Sequence, residues 1–343
     1  MEVKSERKLA TIRKITNITP IDGADKIELA TIDSWKVVVA KDVNHKVGDM
    51  VIYCEIDSFL PIKEEFEFLR KSSYKKMSDG TEGFRLKTIK LRGQVSQGLI
   101  LPMSVVEYTN VQFEVGMDVT EMLEIVKYEP PIPAELSGKV KGLFPSFLRK
   151  TDEERVQNLT KEYEQYKSLG RKFYVTEKLD GSSVTFYFRD GVFGVCSRNL
   201  ELLETEGNTF WKVARELKLE EWLGTLENNV CLQGELVGES VQGNPYKIKG
   251  QTVRFFNGFN IDTQENIPFL EFVELVQKMG LNTVPILDYE FQLPETIEGM
   301  LEYSDKKSEL NSNFDREGIV VRSYDRTISF KVISNKFLLK SEN

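Results

Sequence analysis

Short segments in which hydrophobic and polar residues alternate fill the first 125 residues of the chain. Alternation with a period of two is typical of half-buried β-strands, and the Asp-Gly and Gly-Asp pairs between the segments are typical of turns. The predicted strands are residues 9–15, 26–32, 36–40, 50–56, 84–91 and 98–102. Five or six short strands in about 100 residues indicate a small closed β-barrel.

A proline-rich segment, Glu129-Pro-Pro-Ile-Pro133, interrupts this pattern, because proline cannot continue a helix or a central strand. After it, Thr151-Asp-Glu-Glu154 has the form of a capping box, which predicts a helix that ends near residue 169. Further strands are predicted at 172–177, 183–188, 192–196, 230–237, 252–261 and 318–322, and helices at 207–220 and 268–279.

These elements define an α+β protein with two domains. Residues 1–125 are expected to form an OB-type β-barrel, residues 126–150 a linker, and residues 151–343 a domain rich in antiparallel sheet. A chain of 343 residues is long enough to bury two separate hydrophobic cores.

Composition and charge exclude several classes of protein. No segment reaches the roughly 20 apolar residues that a membrane helix requires, and the N-terminus lacks the apolar core of a secretory signal. The three cysteines, Cys54, Cys196 and Cys231, form no CxxC pair, so we expect buried thiols in a reducing cytoplasm. A net charge of -8 argues against a protein that merely coats nucleic acid, but it suits a metal site built from carboxylates.

The chain has a single histidine, His45, in a polar segment that is predicted to be a turn. A catalytic Ser-His-Asp or Cys-His arrangement is therefore not expected. If the protein is an enzyme, its nucleophile and its proton transfers come from lysine, aspartate, glutamate or a metal-bound water.

The segment Glu177-Lys-Leu-Asp-Gly-Ser-Ser183 carries the clearest chemical signal. Lys178 ends a predicted strand, and Gly181 is expected to permit a tight turn that brings Asp180 beside it. A lysine must lose its proton before it can attack a phosphate, and a divalent cation held by a carboxylate lowers the pKa of the lysine. The alternative for this segment alone is a hairpin turn with solvated charges.

Four further residues follow in order and favour the chemical interpretation. Arg198 lies after the next predicted hairpin, where it can hold a ribose or a phosphate. Glu235 lies inside an apolar strand, Glu317 directly precedes another, and Lys331 is surrounded by apolar residues. With Asp180, the two glutamates supply three carboxylates suited to a hard, oxygen-seeking cation.

This ordered set resembles the motifs of the covalent nucleotidyltransferases, the superfamily of ATP-dependent DNA ligases, RNA ligases and capping enzymes. The resemblance covers residues from about 145 to 340. The matching positions are Lys178, Asp180 and Gly181 in the nucleophile motif, then Arg198, Glu235, Phe259-Asn-Ile261, Glu317-Gly318 and Lys331. It implies an ATP-grasp-like ligase domain.

The resemblance also implies the role of each residue. Lys178 attacks the α-phosphate of ATP, releases pyrophosphate and carries AMP, while Lys331 contacts the α-phosphate. Mg²⁺ or Mn²⁺ is positioned by the three carboxylates, Asp180, Glu235 and Glu317, some of which can instead contact the ribose.

The same resemblance suggests how the base is recognised. Glu177 would help to read the adenine edge, and Phe259 would stack on adenine. Core packing is the alternative for Phe259, and Phe255 and Phe256 compete for the stacking role.

Two positions depart from the pattern of the superfamily. A second lysine usually lies two residues from Lys331, but Ser329 and Ile333 occupy those positions, so either one phosphate contact is missing or Lys336 or Lys340 replaces it. In the aromatic motif, Asn260 stands where an aspartate is usual.

Domain order favours RNA ligases over their relatives. In DNA ligases and capping enzymes the OB domain follows the last motif, but this chain ends 12 residues after Lys331. Its predicted barrel precedes the ligase domain, as in a group of RNA ligases, and the segments 87–98 and 144–158 resemble segments of those enzymes.

Candidate nucleic-acid contacts lie in both of these segments and beside them. Positive side chains that can follow a phosphate backbone are Arg85, Lys87, Lys90 and Arg92. Arg155 and Asn158 are candidates for contacts with the nucleotide or the RNA end. The alternatives are a solvated strand face for the first group and pairing along its own helix for Arg155.

The sequence thus predicts an ATP-dependent RNA ligase that joins a 5′-phosphate to a 3′-OH through lysyl-AMP and an adenylylated 5′ end, in RNA repair. Its expected partners are ATP and RNA ends or nicked duplexes that contain RNA, without a membrane or an obligate protein partner. An ATP-dependent DNA nick ligase would share the same adenylation chemistry. A non-catalytic RNA-binding protein would have lost the lysine or a carboxylate, and none is lost here.

Overall fold

The computed structural model describes residues 7–77, 79–107, 111–129 and 138–341. The chain divides into two compact units. One unit comprises Met1–Pro131 with Leu338–Asn343, and the other comprises Ile132–Phe337.

The first unit is built from twelve described strands. They are β1 (Ala10–Lys14), β2 (Asn17–Pro20), β3 (Ile27–Ile32), β4 (Trp35–Ala40), β5 (Met50–Cys54), β6 (Ser58–Pro61), β7 (Tyr74–Lys76), β8 (Glu82–Arg85), β9 (Ile89–Leu91), β10 (Gln94–Ser96), β11 (Leu99–Pro102) and β12 (Val126–Lys127). They form antiparallel sheets in the orders β1-β5-β11, β2-β3-β4, β12-β6-β8-β7 and β10-β9. A short helix, α1 (Arg70–Ser73), precedes β7.

Alternating side chains of β5 supply two hydrophobic clusters of this unit. Ile52 packs in one cluster, and Val51 and Tyr53 pack in the other, together with Trp35 of β4. The predicted strand 84–91 is wrong, because the structure divides it into β8 and β9. Leu86 still donates its N–H to the Ser58 carbonyl of β6 at 2.9 Å, but residues 86–88 belong to no strand.

The second unit contains two antiparallel sheets. Its strands are β13 (Val140–Leu143), β14 (Phe173–Lys178), β15 (Ser182–Arg189), β16 (Val192–Cys196), β17 (Leu200–Leu202), β18 (Val230–Gly238), β19 (Gln251–Asn260), β20 (Glu265–Asn266), β21 (Asn282–Thr283), β22 (Ile286–Phe291), β23 (Gly318–Ser323) and β24 (Ser329–Ile333). The larger sheet has the order β13-β17-β16-β15-β18-β19-β20, with β21 pairing parallel to β19. The smaller sheet has the order β22-β14-β23-β24.

Helices cover one hydrophobic face of each of these two sheets. They are α2 (Thr160–Ser168), α3 (Thr209–Glu216), α4 (Leu219–Gly224), α5 (Phe269–Lys278) and α6 (Ile297–Ser304). A further helix, α7 (Asn335–Ser341), follows β24. The predicted helix 207–220 is in fact two helices, because Lys218 adopts a left-handed conformation with φ of 52°. No helix within the described ranges is long and apolar enough to cross a membrane.

The helix predicted from Thr151 to about residue 169 begins only at Thr160, so the capping box is a wrong prediction. Residues 151–154 have no helical structure, and Val156–Asn158 form a single 3-10 turn. The acidic side chains that suggested a helix cap instead bind cations and hydroxyl groups of the smaller sheet. Asp152 contacts Lys331, and Glu153 contacts Arg322 and Ser329.

The predicted linker, residues 126–150, is partly strand. Its first two residues form β12, which pairs with β6, and Val140–Leu143 form β13, which pairs with β17. The prolines of Glu129-Pro-Pro-Ile-Pro133 lie outside the described residues, so the prediction of a break there stays a prediction. All three cysteines are buried free thiols, as expected.

Candidate active site

Lys178 lies at the end of β14, inside the smaller sheet. Alternation along β14 places Lys178 on the same face as Tyr174, while Val175 packs in the core on the opposite face. The Lys178 Nζ lies 2.7 Å from each carboxylate oxygen of Glu317. Glu317 precedes β23, whose first residue pairs with Lys178. The predicted nucleophile is therefore in direct contact with one of the predicted carboxylates.

The electrostatic environment keeps Lys178 charged. Burial acts to lower the pKa of Lys178, but the carboxylates of Glu317, Glu235 and Asp180 outweigh burial, so the pKa is raised. An ammonium group has no lone pair for attack. Lys178 is thus protonated in this state and would have to lose a proton before it could act as the predicted nucleophile.

Asp180 and Glu235 complete the charged cluster around this lysine. Burial raises the pKa of Asp180 to about 7, and repulsion from Glu317 adds to the effect. Burial also raises the pKa of Glu235 to about 8, with Lys178 opposing and the other two carboxylates reinforcing the shift. Three carboxylates around a single ammonium leave excess negative charge, which a divalent cation would relieve. This oxygen-only donor set fits Mg²⁺ or Mn²⁺.

The three carboxylates do not form a ready-made set of direct metal ligands. In the described part of the chain, no group of three or more His, Cys, Asp or Glu side chains is arranged to hold a metal ion. Both oxygens of Glu317 bind Lys178, and Glu235 Oε1 accepts the Gly181 N–H at 3.1 Å. The site therefore fits a cation that keeps part of its water shell, as Mg²⁺ usually does.

The reason for glycine at position 181 differs from the prediction. Gly181 does not have a positive φ, so the turn itself does not demand glycine. A Cβ at this position would clash with the Leu236 carbonyl oxygen and would lie 2.8 Å from Cγ of Glu235. Glycine is required because the backbone at position 181, in the loop between β14 and β15, packs directly against β18.

Tyr246 binds the same loop at Asp180, a contact that no sequence pattern predicts. Its buried hydroxyl accepts the Asp180 N–H at 2.6 Å. The two residues are 66 positions apart, and a lone tyrosine in a polar segment gives no signal of this contact. Glu235 and Tyr246 together fix the backbone that carries Asp180.

Lys331 and Arg198 both contact Asp152, which was not among the residues predicted from the sequence. Lys331 Nζ lies 2.6 Å from Asp152 Oδ1, and Arg198 Nη2 lies 3.2 Å from Asp152 Oδ2. Phe330 and Val332 point into the core on the opposite side of β24, so Lys331 lies on the face of the smaller sheet that carries Lys178. The structure thus brings both predicted cations to one carboxylate.

The missing second lysine is not replaced by Lys336 in this structure. Lys336 Nζ donates to the Asp305 carbonyl at 3.2 Å. At the position two residues before Lys331, the Ser329 hydroxyl donates to Glu153. Lys340 lies in α7.

Phe259 does not lie at an accessible surface. Its side chain is fully buried in a cluster with Cys231 and Tyr187 and has no exposed face for a base. The cause is a β-bulge: Gln233 pairs with Asn257 and Gly234 with Phe255, which leaves Phe256 as the extra residue of β19. A bulge changes the direction of the side chains that follow it.

Phe256 is the extra residue of this bulge. It is partly buried and packs in the cluster that contains Leu179 and Val237. Leu179 directly follows Lys178, and Val237 lies two residues after Glu235. Phe255 is fully buried in the core of the larger sheet. Of the three aromatic candidates, Phe256 alone combines partial exposure with this position.

Glu177 is buried at the end of β14, where its Oε2 accepts the Glu309 N–H at 2.8 Å. Burial raises the pKa of Glu177, although the Ser308 hydroxyl and this N–H oppose the shift. Its neighbour along the sequence, Lys178, is on the opposite face of the strand. The role of Glu177 at the adenine edge stays a prediction.

The candidate nucleic-acid residues of the barrel fall on different elements. Arg85, on β8, lies 4.3 Å from the ring centroid of Tyr128 and 3.7 Å from Asp57. Lys90 and Arg92 are exposed on the hairpin of β9 and β10, and Lys87 is partly buried before it. The exposed pair on the hairpin is the best placed to reach a phosphate backbone.

Arg155 and Asn158 follow the acidic residues 152–154. Arg155 is buried and forms a parallel bridge with Lys331, so it does not lie in a helix as the alternative interpretation supposed. Asn158 Nδ2 donates to Glu154 Oε1 at 3.0 Å. These contacts place Arg155 beside the phosphate-binding lysine predicted from the sequence.

An OB-type barrel and a sheet-rich domain with a lysine-carboxylate centre define a covalent nucleotidyltransferase of the ligase type. Residues 9–103 match a family model described as an OB-fold domain, and residues 171–340 match one described as RNA ligase. A search of curated proteins gave no match.

Solved structures of an RNA ligase from Naegleria gruberi are similar over nearly the whole chain. The structure with pyrophosphate is 46% identical, with a TM-score of 0.92 over 98% of this chain and 99% of that chain. A mutant with ATP and Mn is 46% identical, with a TM-score of 0.91 over 97% and 99% of the two chains. A mutant with AMP and Mn gives the same values. The chain described here belongs to the RNA ligase family.

Proposed function

We propose that this ATP-dependent RNA ligase transfers AMP from ATP to Lys178 and then to the 5′-phosphate of an RNA-containing substrate. The contact between Lys178 and Glu317 at the end of β14 carries the proposal, because it presents a lysine among carboxylates rather than to solvent. The chemistry follows from the residues that surround this pair.

In the first step, the Lys178 Nζ attacks the α-phosphate, the N–P bond forms, and pyrophosphate leaves. Glu317 is hydrogen-bonded to the ammonium and is placed to accept its proton. Lys331 supplies positive charge to the α-phosphate. A bound Mg²⁺ or Mn²⁺ would neutralise carboxylate charge and so weaken the hold of these groups on the lysine proton.

In the later steps, AMP moves from Lys178 to the 5′-phosphate, and a 3′-OH displaces it to form the phosphodiester. Asp180, Glu235 and Glu317 are the oxygen donors that would hold the cation for these transfers. We assign Arg198 to the phosphate or ribose of the nucleotide.

We predict that Phe256 stacks on adenine. Phe256→Ala should raise the KM for ATP in lysine adenylylation about tenfold, because base–aromatic stacking contributes about 1–3 kcal/mol. The control is Phe256→Tyr, which keeps an aromatic face and should keep the KM within about twofold. An unchanged KM in a folded Phe256→Ala protein would assign the adenine contact to another residue.

We also predict that the enzyme prefers RNA on the 3′-OH side of the break. The OB-fold domain ahead of the ligase domain, with Lys90 and Arg92 exposed on its hairpin, supports a surface for an RNA-containing duplex. Ribose 2′-hydroxyls and A-form geometry distinguish such a duplex from DNA.

The test compares nicked duplexes that differ only in ribose or deoxyribose on either side of the nick. Sealing should be fastest when the 3′-OH end is RNA, whatever the sugar on the 5′-phosphate side. If an all-DNA nick is sealed at the same rate, the DNA nick ligase is the better description. Label transfer from α-labelled ATP to the protein would remain in that case.

A further inference from the structure

Three consecutive acidic residues precede the 3-10 turn of the second unit, and each has a different partner. Asp152 contacts Lys331 and Arg198. Glu153 accepts hydrogen bonds from Arg322 at 2.8 Å and from the Ser329 hydroxyl at 2.5 Å. The Glu154 side chain accepts the Arg155 N–H at 2.8 Å. The segment 152–154 is therefore attached to the smaller sheet at several points.

The backbone of this segment is also fixed. The Lys331 N–H donates to the Glu154 carbonyl at 2.8 Å, and Arg155 pairs with Lys331 in a parallel bridge. Burial acts to raise the pKa of Glu153, but Arg322 and Ser329 outweigh it, so the pKa is lowered and the carboxylate is charged. Asp152 is consequently held beside β24 by the two residues that follow it.

Asp152 joins two cations from different sheets. Lys331 lies on β24 of the smaller sheet, and Arg198 lies between β16 and β17 of the larger sheet. Lys331 is only 8% exposed, whereas the Arg198 side chain is 52% exposed. A buried ammonium needs a counter-charge whenever no ligand provides one. Asp152 provides a counter-charge to both cations.

We propose that Asp152 is a positioning residue that occupies Lys331 and Arg198 before ATP arrives and exchanges them for the nucleotide phosphate. The inference rests on the proposed function, which assigns both cations to the nucleotide. The carboxylate keeps the two donors oriented towards one point, and it also competes with the incoming phosphate for them.

This arrangement has a measurable consequence for affinity. Lys331, Arg198 and Asp152 together carry one net positive charge. With a neutral residue at position 152, the same three side chains would carry two positive charges. Asp152→Asn keeps the size and the hydrogen-bonding oxygen of the side chain but removes the competing charge. The variant should therefore bind a polyphosphate more tightly, because no carboxylate competes with the phosphate for the two cations.

The experiment measures binding of α,β-methylene-ATP to the full chain with Mg²⁺, since this analogue cannot release pyrophosphate. Asp152→Asn should lower the Kd about three- to fivefold, the scale of partly exposed ion pairs. Asp152→Glu keeps the charge and should keep the Kd within twofold of the unmodified protein. Glu162→Gln removes the same charge at an exposed position of α2 and should also leave the Kd unchanged. The gain in affinity should shrink as salt is added.

Equal or weaker binding of the analogue by folded Asp152→Asn would overturn the proposal, as would equal tightening in Glu162→Gln. If Asp152→Asn does not fold, Asp152→Ser provides the same comparison. Failure of the unmodified protein to take label at Lys178 would instead count against the proposed function itself.

Discussion

Replacing Lys178 with alanine is expected to abolish the incorporation of label from α-labelled ATP into the protein. The expected loss is at least about a thousandfold, because the variant has no nucleophile to form the covalent intermediate. Lys178→Arg should fail as well, since a guanidinium stays protonated and cannot attack. The measurement is denaturing electrophoresis after incubation with ATP and Mg²⁺ or Mn²⁺, and the label should be lost in acid, as a phosphoramidate would be.

The matched control is Lys172→Ala. Lys172 lies one residue before β14, and its side chain is 71% exposed beside Glu290. Its removal deletes a lysine close in sequence to the nucleophile without touching the carboxylate cluster, so labelling should be unchanged. Label retained by Lys178→Ala would show that another residue carries AMP.

Replacing Asp180, Glu235 or Glu317 singly with alanine is expected to slow ligation by at least about tenfold, the usual scale for losing a positioned electrostatic group. Excess EDTA should stop the reaction in the unmodified protein. The alanine variants should be slow because the three carboxylates act together: removing one of them weakens cation binding and also changes the charge around Lys178. The loss should be partly recovered at high Mn²⁺ if cation affinity is what has fallen.

Glu239→Ala is the control for these variants. Glu239 is exposed and directly follows the end of β18, four residues after Glu235. Its replacement therefore removes the same charge from a position outside the cluster. Its ligation rate should match that of the unmodified protein. Full activity in EDTA, or unchanged rates in all three cluster variants, would rule out the metal-dependent scheme.

The parts of the site that could be predicted from sequence are those with local signals. Lys178, Asp180 and Gly181 lie within four residues. Glu235 interrupts an apolar strand and Glu317 directly precedes another, and a charge is unusual at both places. The structure places Lys178 against Glu317 and surrounds it with the other carboxylates. Much of the strand pattern was also predictable, because alternation reflects which face of a strand is buried.

The errors arose where distant contacts override local preference. Residues 151–154 have the composition of a helix cap, but the Asp152 carboxylate binds Lys331, 179 residues further along the chain. Phe259 matches the aromatic motif, but a bulge opposite Gln233 and Gly234 leaves Phe259 buried and Phe256 partly exposed. Neither a long-range ion pair nor the position of a bulge can be inferred from one sequence without its strand pairing.

By itself, the sequence determined the order of the two domains and the lysine and carboxylates that the structure brings together, because each depends on residue types and short spacings. Only the tertiary structure decided which aromatic residue is accessible, why position 181 must be glycine, and that Asp152 joins Lys331 to Arg198. These features depend on the register between strands and on the approach of one element to another. Such distances are set by packing across the whole domain, which no short segment of the chain specifies.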